Sequence, residues 1–369
     1  MGIEAKVHRR GLFAGGGAAL LGALAVKRSA AASTPAVRLV SAARIGETDG
    51  GVILDQEGLT GFALPARAHA LTRLPGGGVL LVGRRPGGFV AVADPERPHS
   101  QLHVFAPVAG HRFAGHAAID PNGRTLVTSE IDAETGDGIV VFRDAPGGTP
   151  RAIFSVGIEP HDVVFADAGA RLVVAVGGIA KAADIKGPPI NAGNIESAVV
   201  ELDGRTGAVL KNHRLGAGMK SLSLRHMALA PDGQTIVIGM QDQDRSQLRP
   251  LMGVLRTGSN LELLPLPSDE AGSLRSYIGS ISIDASGQFA AATSPKGGMV
   301  GLWSLSRGAW LGGFALPDVC GLVADGEPGC FWVTSGLGDI VKLRAGNSGL
   351  VAEARWTAPA AFDNHLLRI

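Results

Sequence analysis

A degenerate repeat constrains this chain more than any other feature of its sequence. In each unit a marker residue stands at the head of a short apolar run that leads into a glycine turn, and successive markers are 40 to 65 residues apart. Units of this length are typical of propeller blades and similar solenoids. Five of the seven markers are histidines, and the remaining two are a serine and a cysteine. In chain order they are His69, His116, His161, His226, Ser280, Cys320 and His365.

The composition agrees with a fold made of short strands and tight turns. Glycine accounts for 54 of the 369 residues and proline for 21, while 45% of the chain is hydrophobic and only 18% is charged. Such a chain can bury a large core, and its apolar runs are too short for long helices. Because the formal net charge is +1, we expect no binding to nucleic acid.

The two ends of the chain predict how the repeat closes. Each complete unit reads as strand, glycine turn, strand, loop, strand and a fourth run. After the last marker only one strand fits, whereas the three runs RLVSAARI, GGVILDQ and LTGFALPAR precede the first marker. Joining the C-terminal strand to these three N-terminal runs in one sheet removes two exposed sheet edges. We therefore predict an all-β protein, a seven-bladed β-propeller whose last blade is closed by one C-terminal strand plus three N-terminal strands.

Residues 1–33 predict an export signal rather than part of the fold. Arg9 and Arg10 precede Leu12 and Phe13, an apolar stretch follows, and small residues then suit a signal peptidase. This arrangement resembles a twin-arginine signal, although a histidine stands where a serine or threonine usually precedes the pair. An uncleaved membrane anchor is the alternative, but the stretch is short for a bilayer span. We expect residues 34–369 to form a single periplasmic domain, monomeric and without a membrane span.

The two cysteines do not predict a disulfide. Cys320 and Cys330 lie at the starts of two neighbouring strands in one predicted hairpin. Because the starts of antiparallel strands lie at opposite ends of the pair, the two thiols should not face each other.

The recurring histidines predict a metal site. Inner strands line the channel of a propeller, so equivalent positions on successive blades converge near one mouth. Imidazole is a favoured ligand of transition metals, and a thiolate adds a softer donor. We expect iron or copper in preference to zinc, or a haem held without covalent attachment, since no C-x-x-C-H motif occurs. The predicted ligands are His69, His116, His161, His226, His365 and Cys320, with His111 on the same rim and Glu130 and Asp132 orienting an imidazole.

A structural role for the same histidines is the alternative interpretation. In WD-type repeats a Gly-His pair at a strand head forms hydrogen bonds between blades, and Gly115-His116 is such a pair. Descent from one ancestral blade would copy this histidine several times. The sequence contains no G-x-S-x-G or H-E-x-x-H motif, so it does not indicate a serine hydrolase or a zinc protease.

Several segments resemble a known family. RRPGGF, PHDVVF, SLRHMALAPDG and the ending DNHLLRI are similar to those of the domain of unknown function 1513 family of exported propellers. The resemblance covers essentially the whole mature chain and implies a propeller fold. Members of that family are encoded beside imelysin-like proteins and di-haem oxidoreductases, which implies periplasmic iron acquisition with those proteins as partners. The resemblance supplies no assigned reaction.

These observations leave three functional hypotheses. The first is a periplasmic binding protein, not an enzyme, that holds a transition metal or an iron-containing cofactor at the histidine-lined mouth. The second is a scaffold for haem or imelysin-like partners, in which the histidines are structural. The third is a metal-dependent, lactonase-like hydrolase, in which a metal-bound water is the nucleophile; only fold analogy supports it.

Overall fold

Nearly all of the described chain is β-structure. The computed structural model describes residues 23–24, 27–28, 37–180, 191, 193–346 and 348–369. The predicted export signal therefore lies outside the described residues except for two short segments. Seven antiparallel sheets form, five of four strands and two extended to five by the two-residue strands Ala23–Leu24 and Lys27–Arg28. The predicted all-β, seven-bladed β-propeller is confirmed.

Each blade is a meander whose first strand lines the central channel. Blade 1 comprises Ala68–Arg73, Val79–Gly83, Val90–Ala93 and His103–Phe105; blade 2, His111–Ile119, Thr125–Asp132, Asp137–Asp144 and Thr149–Ile158; blade 3, Pro160–Ala166, Arg171–Val176, Ala198–Asp203 and Val209–Arg214; blade 4, Leu222–Leu229, Thr235–Asp242, Met252–Arg256 and Glu262–Leu264. Blade 5 comprises Ser280–Ile283, Phe289–Ser294, Met299–Ser304 and Ala309–Ala315; blade 6, Val319–Ala324, Cys330–Ser335, Asp339–Gly346 and Gly349–Thr357.

In the part of the chain that the structure describes, helical structure is confined to short connections. The α-helix Ser268–Ala271 and the 3-10 turns Asp167–Gly169 and Ala217–Met219 join strands. Among the described residues, no helix has the length and apolar character needed to cross a membrane.

Blade 7 closes the ring as predicted. Its inner strand is Ala361–Arg368, which pairs with Leu39–Ile45; Thr48–Asp55 and Gly58–Ala63 complete the sheet. Leu39 lies opposite Arg368 in this ladder. Pairing the two ends gives both edge strands a partner, so the first and last parts of the described domain stabilise each other.

The core lies between adjacent blades. Apolar side chains on the facing sheets of neighbouring blades form six buried clusters, and the cluster between blades 6 and 7 includes Trp332, Trp356 and Phe362. The indole rings of the two tryptophans lie 5.4 Å apart. Since every sheet is covered on both faces, its strands are apolar runs rather than strict alternations, as the sequence shows.

A break in strand register occurs at the marker of six blades. The ladder of the inner strand is interrupted around each histidine marker and around Cys320, whereas Ser280–Ile283 in blade 5 pairs regularly. A β-bulge takes a residue out of the ladder and redirects its side chain. At Gly115 the backbone has φ +111°, and a Cβ there would lie 3.0 Å from the ring of His69. We attribute the convergence of the histidine markers on the axis to these bulges.

The two cysteines are both free, as predicted. Val319 pairs with Ser335 and Ala324 with Phe331, which places Cys320 and Cys330 toward opposite ends of their hairpin.

The closing strand should carry a large share of the stability of the fold. Phe362 is buried in the cluster between blades 6 and 7, so Phe362→Ala should lower the free energy of unfolding by about 3–5 kcal/mol. Val351→Ala, at a side chain that is 59% exposed on the outer strand of blade 6, is the control and should change it by less than about 0.5 kcal/mol. Urea unfolding measures both; equal effects would contradict the proposed role of the closing strand.

Candidate metal centre

The five histidine markers form one ring of side chains on the propeller axis. In the order His69, His116, His161, His226, His365 and back to His69, each imidazole centroid lies 4.7 to 5.1 Å from the next. The first four residues are buried and His365 is partly exposed. The structure therefore brings together all five histidines that the repeat singled out, although they are spread over about 300 residues of sequence.

The small markers of blades 5 and 6 let this ring close. The ring of His226 in blade 4 and that of His365 in blade 7 have centroids 4.9 Å apart, although two blades separate their strands. Ser280 and Cys320 are short side chains that leave this space to the imidazoles. The residues that depart from the histidine pattern thus allow five rings to meet in a seven-bladed frame.

Four of the five imidazoles have the spacing of a metal site. His69, His116, His226 and His365 each offer one nitrogen, and these four nitrogens all lie within 4.8 Å of one another. Nitrogens bound tetrahedrally to one ion are separated by about 3.4 Å, given metal–nitrogen bonds of roughly 2.1 Å. Small rotations of the side chains would therefore place the four nitrogens on one ion.

Unsatisfied ring nitrogens support the same assignment. Among the described residues, no hydrogen-bond partner exists for His116 Nε2, His226 Nδ1 or His365 Nε2, although each atom is buried. A buried polar atom without a partner costs about 1–3 kcal/mol, so such atoms call for an ion or a water. Three of them on neighbouring imidazoles fit a transition-metal ion.

Burial keeps these imidazoles neutral. It lowers the pKa of His69 to about 4, with the carboxylate of Asp363 opposing part of the effect. Burial likewise holds the pKa of His226 and of His365 well below 6.5, reinforced by the neighbouring imidazoles. Neutral imidazole is the form that ligates a metal, so these three residues are ready to bind at pH 7.

Asp162 fixes the orientation of His116. Its Oδ1 atom lies 3.0 Å from His116 Nδ1. Backbone N–H groups of Val163 and Met227 donate to the two carboxylate oxygens, each at 2.8 Å. A carboxylate oxygen at this distance favours the tautomer with the proton of His116 on Nδ1, which leaves the lone pair on Nε2. A carboxylate behind a histidine in this way is a common feature of metal sites.

Asp363 plays a similar part for His69. Its Oδ1 lies 3.6 Å from His69 Nδ1, and its Oδ2 accepts hydrogen bonds from Arg67 and Arg84. Although burial opposes ionisation, the contacts with His69 and Arg67 hold the pKa of Asp363 well below its usual range. The carboxylate is therefore charged at neutral pH and partly balances the positive charge that a metal would bring.

His161 has a different environment from the other four histidines. Its Nδ1 atom lies 3.0 Å from Nη1 of Arg225, a buried guanidinium that also pairs with Glu159 at 2.7 Å. Glu159 is paired with Arg85 as well. His161 thus belongs to the ring of imidazoles, but it lies outside the set of four closely spaced nitrogens.

The structure does not bring Cys320 into the imidazole cluster. Its thiol donates to the backbone oxygen of Phe362, with sulfur and oxygen 3.2 Å apart. Burial raises the pKa of this thiol to about 12, so it stays protonated at neutral pH. The predicted sixth ligand is therefore a protonated side chain directed at the backbone of the closing strand.

Three further residues of the sequence prediction, Glu130, Asp132 and His111, are also absent from the set of closely spaced ligand atoms. Glu130 is fully buried and accepts hydrogen bonds from Thr128 and from the guanidinium of Arg143, so its partner is not an imidazole. Asp132 caps a turn by accepting from two backbone N–H groups, and its nearest imidazole contact is His111 at 4.0 Å. The expected roles of Glu130 and Asp132 belong instead to Asp162 and Asp363.

A cavity gives access to the centre from one end of the channel. Its volume is about 760 Å³, and its walls come from the inner strands and the turns that follow them. His116, His226 and His365 reach its lining, together with apolar side chains such as Phe165 and Ile281. A small molecule or ion can therefore approach three of the four closely spaced imidazoles.

Solved structures with the same architecture have very different sequences. Kuenenia stuttgartiensis hydrazine synthase aligns at 14% identity with a TM-score of 0.61, over 92% of this chain and 99% of that chain. The Pseudomonas aeruginosa periplasmic gluconolactonase PpgL aligns at 13% identity with a TM-score of 0.63, over 90% and 99%. The WD40 repeats of RRP9 align at 11% identity with a TM-score of 0.58, over 79% and 81%. At these identities the likeness establishes the fold alone.

Sequence comparison identifies the family. No curated protein matches the chain. Residues 62–369, which include all seven markers and most of the propeller, match the family described as "Protein of unknown function (DUF1513)". The chain therefore belongs to the DUF1513 family of proteins of unknown function.

Proposed function

We propose that this protein binds one transition-metal ion at the cluster formed by His69, His116, His226 and His365. The observation that carries the proposal is the set of four nitrogens within 4.8 Å of one another, supplied by four blades, with three of the four histidines lining an accessible cavity. Divalent iron and copper accept all-imidazole donor sets, and copper binds most tightly in the general affinity order. A haem would need a far larger opening between the rings, so the cluster favours an ion.

The surroundings of the cluster support a binding site over a purely structural one. Structural histidines at strand heads are satisfied by hydrogen bonds to a neighbouring blade, yet His116, His226 and His365 each retain a buried nitrogen with no partner among the described residues. Two carboxylates, Asp162 and Asp363, orient two of the rings from behind. A structural role would not explain why the rings are oriented while their free nitrogens converge.

We further propose that the protein works after export to the periplasm, in iron acquisition. The twin-arginine-like start of the sequence supports export, and the resemblance to exported family members supports the pathway. Transport in a folded state suits this site, because the ligands come together only when the ring of blades has closed.

Metal analysis tests the proposed centre. The purified wild-type domain, incubated separately with Cu(II), Fe(II) and Zn(II) and then desalted, should retain one copper or iron ion per chain. His116→Ala and His226→Ala should each weaken binding more than about 100-fold, since removing even an outer partner of a ligand costs 10- to 100-fold. His103→Ala, at an exposed histidine on the outer strand of blade 1, is the matched control and should bind normally. Equal, substoichiometric metal in all four proteins would refute the proposal.

Acid should weaken the metal-free fold. Below about pH 6.5 the unfolded chain protonates its histidines, whereas folded His69 accepts a proton only near pH 4. Stability is therefore fully present above pH 6.5 and is lost as the pH falls toward 4. Urea unfolding at pH 7.5, 6.0 and 5.0 should show this decline, with a shallower slope in His69→Gln, which has one fewer proton to take up on unfolding. An identical slope would show that His69 is not held neutral.

Export can be tested in a bacterium that has the twin-arginine route. The wild-type chain should be recovered from the periplasmic fraction, and the paired replacement of Arg9 and Arg10 by lysine should leave it in the cytoplasm. Replacing Lys27 and Arg28 by glutamine is the control, because it keeps the arginine pair. Undiminished export of the paired variant would exclude a twin-arginine signal.

A further inference from the structure

We propose that His161 is not a metal ligand but donates a hydrogen bond to a small anion that binds the metal as a fifth ligand beside the four imidazoles. This inference rests on the proposed metal site and names the class of ligand that the site takes. It arises from the contrast between His161 and its neighbour in the ring, His116.

The contact with Arg225 determines which nitrogen of His161 carries the proton. A guanidinium has only N–H donors, so Nδ1 of His161, 3.0 Å from Nη1 of Arg225, must accept with its lone pair. The ring is then neutral, with its one proton on Nε2. To ligate a metal through Nε2, His161 would have to lose this proton and become an imidazolate, which a neutral imidazole resists strongly at ordinary pH.

Arg225 is itself held in place. It is buried and pairs with Glu159 at 2.7 Å, while Glu159 accepts a further hydrogen bond from the backbone N–H of Ile179 at 3.1 Å. Glu159 adopts φ +60°, a left-handed conformation that non-glycine residues rarely use. Such conformations persist where the surroundings enforce them, and they cluster at functional sites. The guanidinium therefore cannot turn away to release Nδ1.

His116 differs from His161 in presenting a lone pair, not an N–H, at Nε2. Its Nδ1 faces the carboxylate of Asp162, which leaves a lone pair on Nε2. The centroids of the two rings are 5.0 Å apart, so an imidazole with a free lone pair is the direct neighbour of one with a free N–H. Within the described residues, Nε2 of His161 is buried and has no acceptor. The missing partner must accept a hydrogen bond, which a metal cation cannot do.

The charge around this position selects an anion. Arg225 and Arg85 share the carboxylate of Glu159, which leaves one net positive charge near His161, and the metal would add further positive charge beside the same ring. A small anion that ligates the metal through one atom, as a fifth ligand, would satisfy the free N–H. The close spacing of the rings limits the ligand to a few atoms, and the cavity reaches His116 and His226, the two rings on either side of His161.

Azide titration of the Cu(II)-loaded protein tests the inference, with absorption spectroscopy to follow the azide-to-copper band. We expect the wild type to bind azide, and His161→Phe to keep one copper per chain while binding azide about tenfold to hundredfold more weakly, the worth of one hydrogen bond to a charged group. His161→Gln, whose amide can still donate, should recover part of the affinity. His103→Ala is the control and should match the wild type.

Each result has a distinct meaning. Unchanged azide affinity in His161→Phe, or a wild type that holds copper but no azide, would overturn the inference and leave the metal site standing. Loss of copper from both His161 variants would make His161 a ligand, which also overturns it. A wild type without copper would refute the metal site itself. If phenylalanine at this position prevents folding, 15N NMR of the metal-free wild type, assigned with His161→Gln, should show the proton on Nε2; a proton on Nδ1 would overturn the inference.

Discussion

The pairing of Ala361–Arg368 with Leu39–Ile45 is the constraint on which the rest of this structure depends. It closes a linear series of blades into a ring, and only in a closed ring do the inner strands share one axis. His365 lies on the closing strand itself, so the same ladder that protects the sheet edges also brings the last imidazole beside His69. The pairing that closes the ring therefore also completes the histidine cluster.

The channel centre combines imidazoles that present a lone pair with one that presents an N–H, and most of these rings are buried. Asp162 and Asp363 place the protons of His116 and His69 on the sides of these rings that face away from the centre. Arg225 occupies Nδ1 of His161 and so leaves the proton of that ring on Nε2. Burying several neutral imidazoles with unsatisfied nitrogens opposes folding. A bound ion with its own ligand, as proposed above, would offset that cost.

The fold and the five histidines could be predicted from the sequence because the repeat copies them at a fixed place in each unit. The supporting residues could not. Asp162 directly follows His161, and strict alternation along a strand would put the two on opposite faces. The bulge at this position breaks the alternation, so both side chains serve the centre. Glu130, which the sequence predicted to lie near a histidine, accepts a hydrogen bond from Arg143 of the same blade instead.

The sequence by itself determined a closed ring of short strands and a set of imidazoles at equivalent positions, because period and marker type are local properties of the chain. Only the tertiary structure decided which of those imidazoles present lone pairs, since that depends on charged side chains from other blades, such as Arg225 behind His161. It also decided that the Cys320 thiol faces backbone instead of the axis. The position of the proton on each imidazole and the orientation of each marker side chain depend on neighbouring residues that do not recur in the repeat.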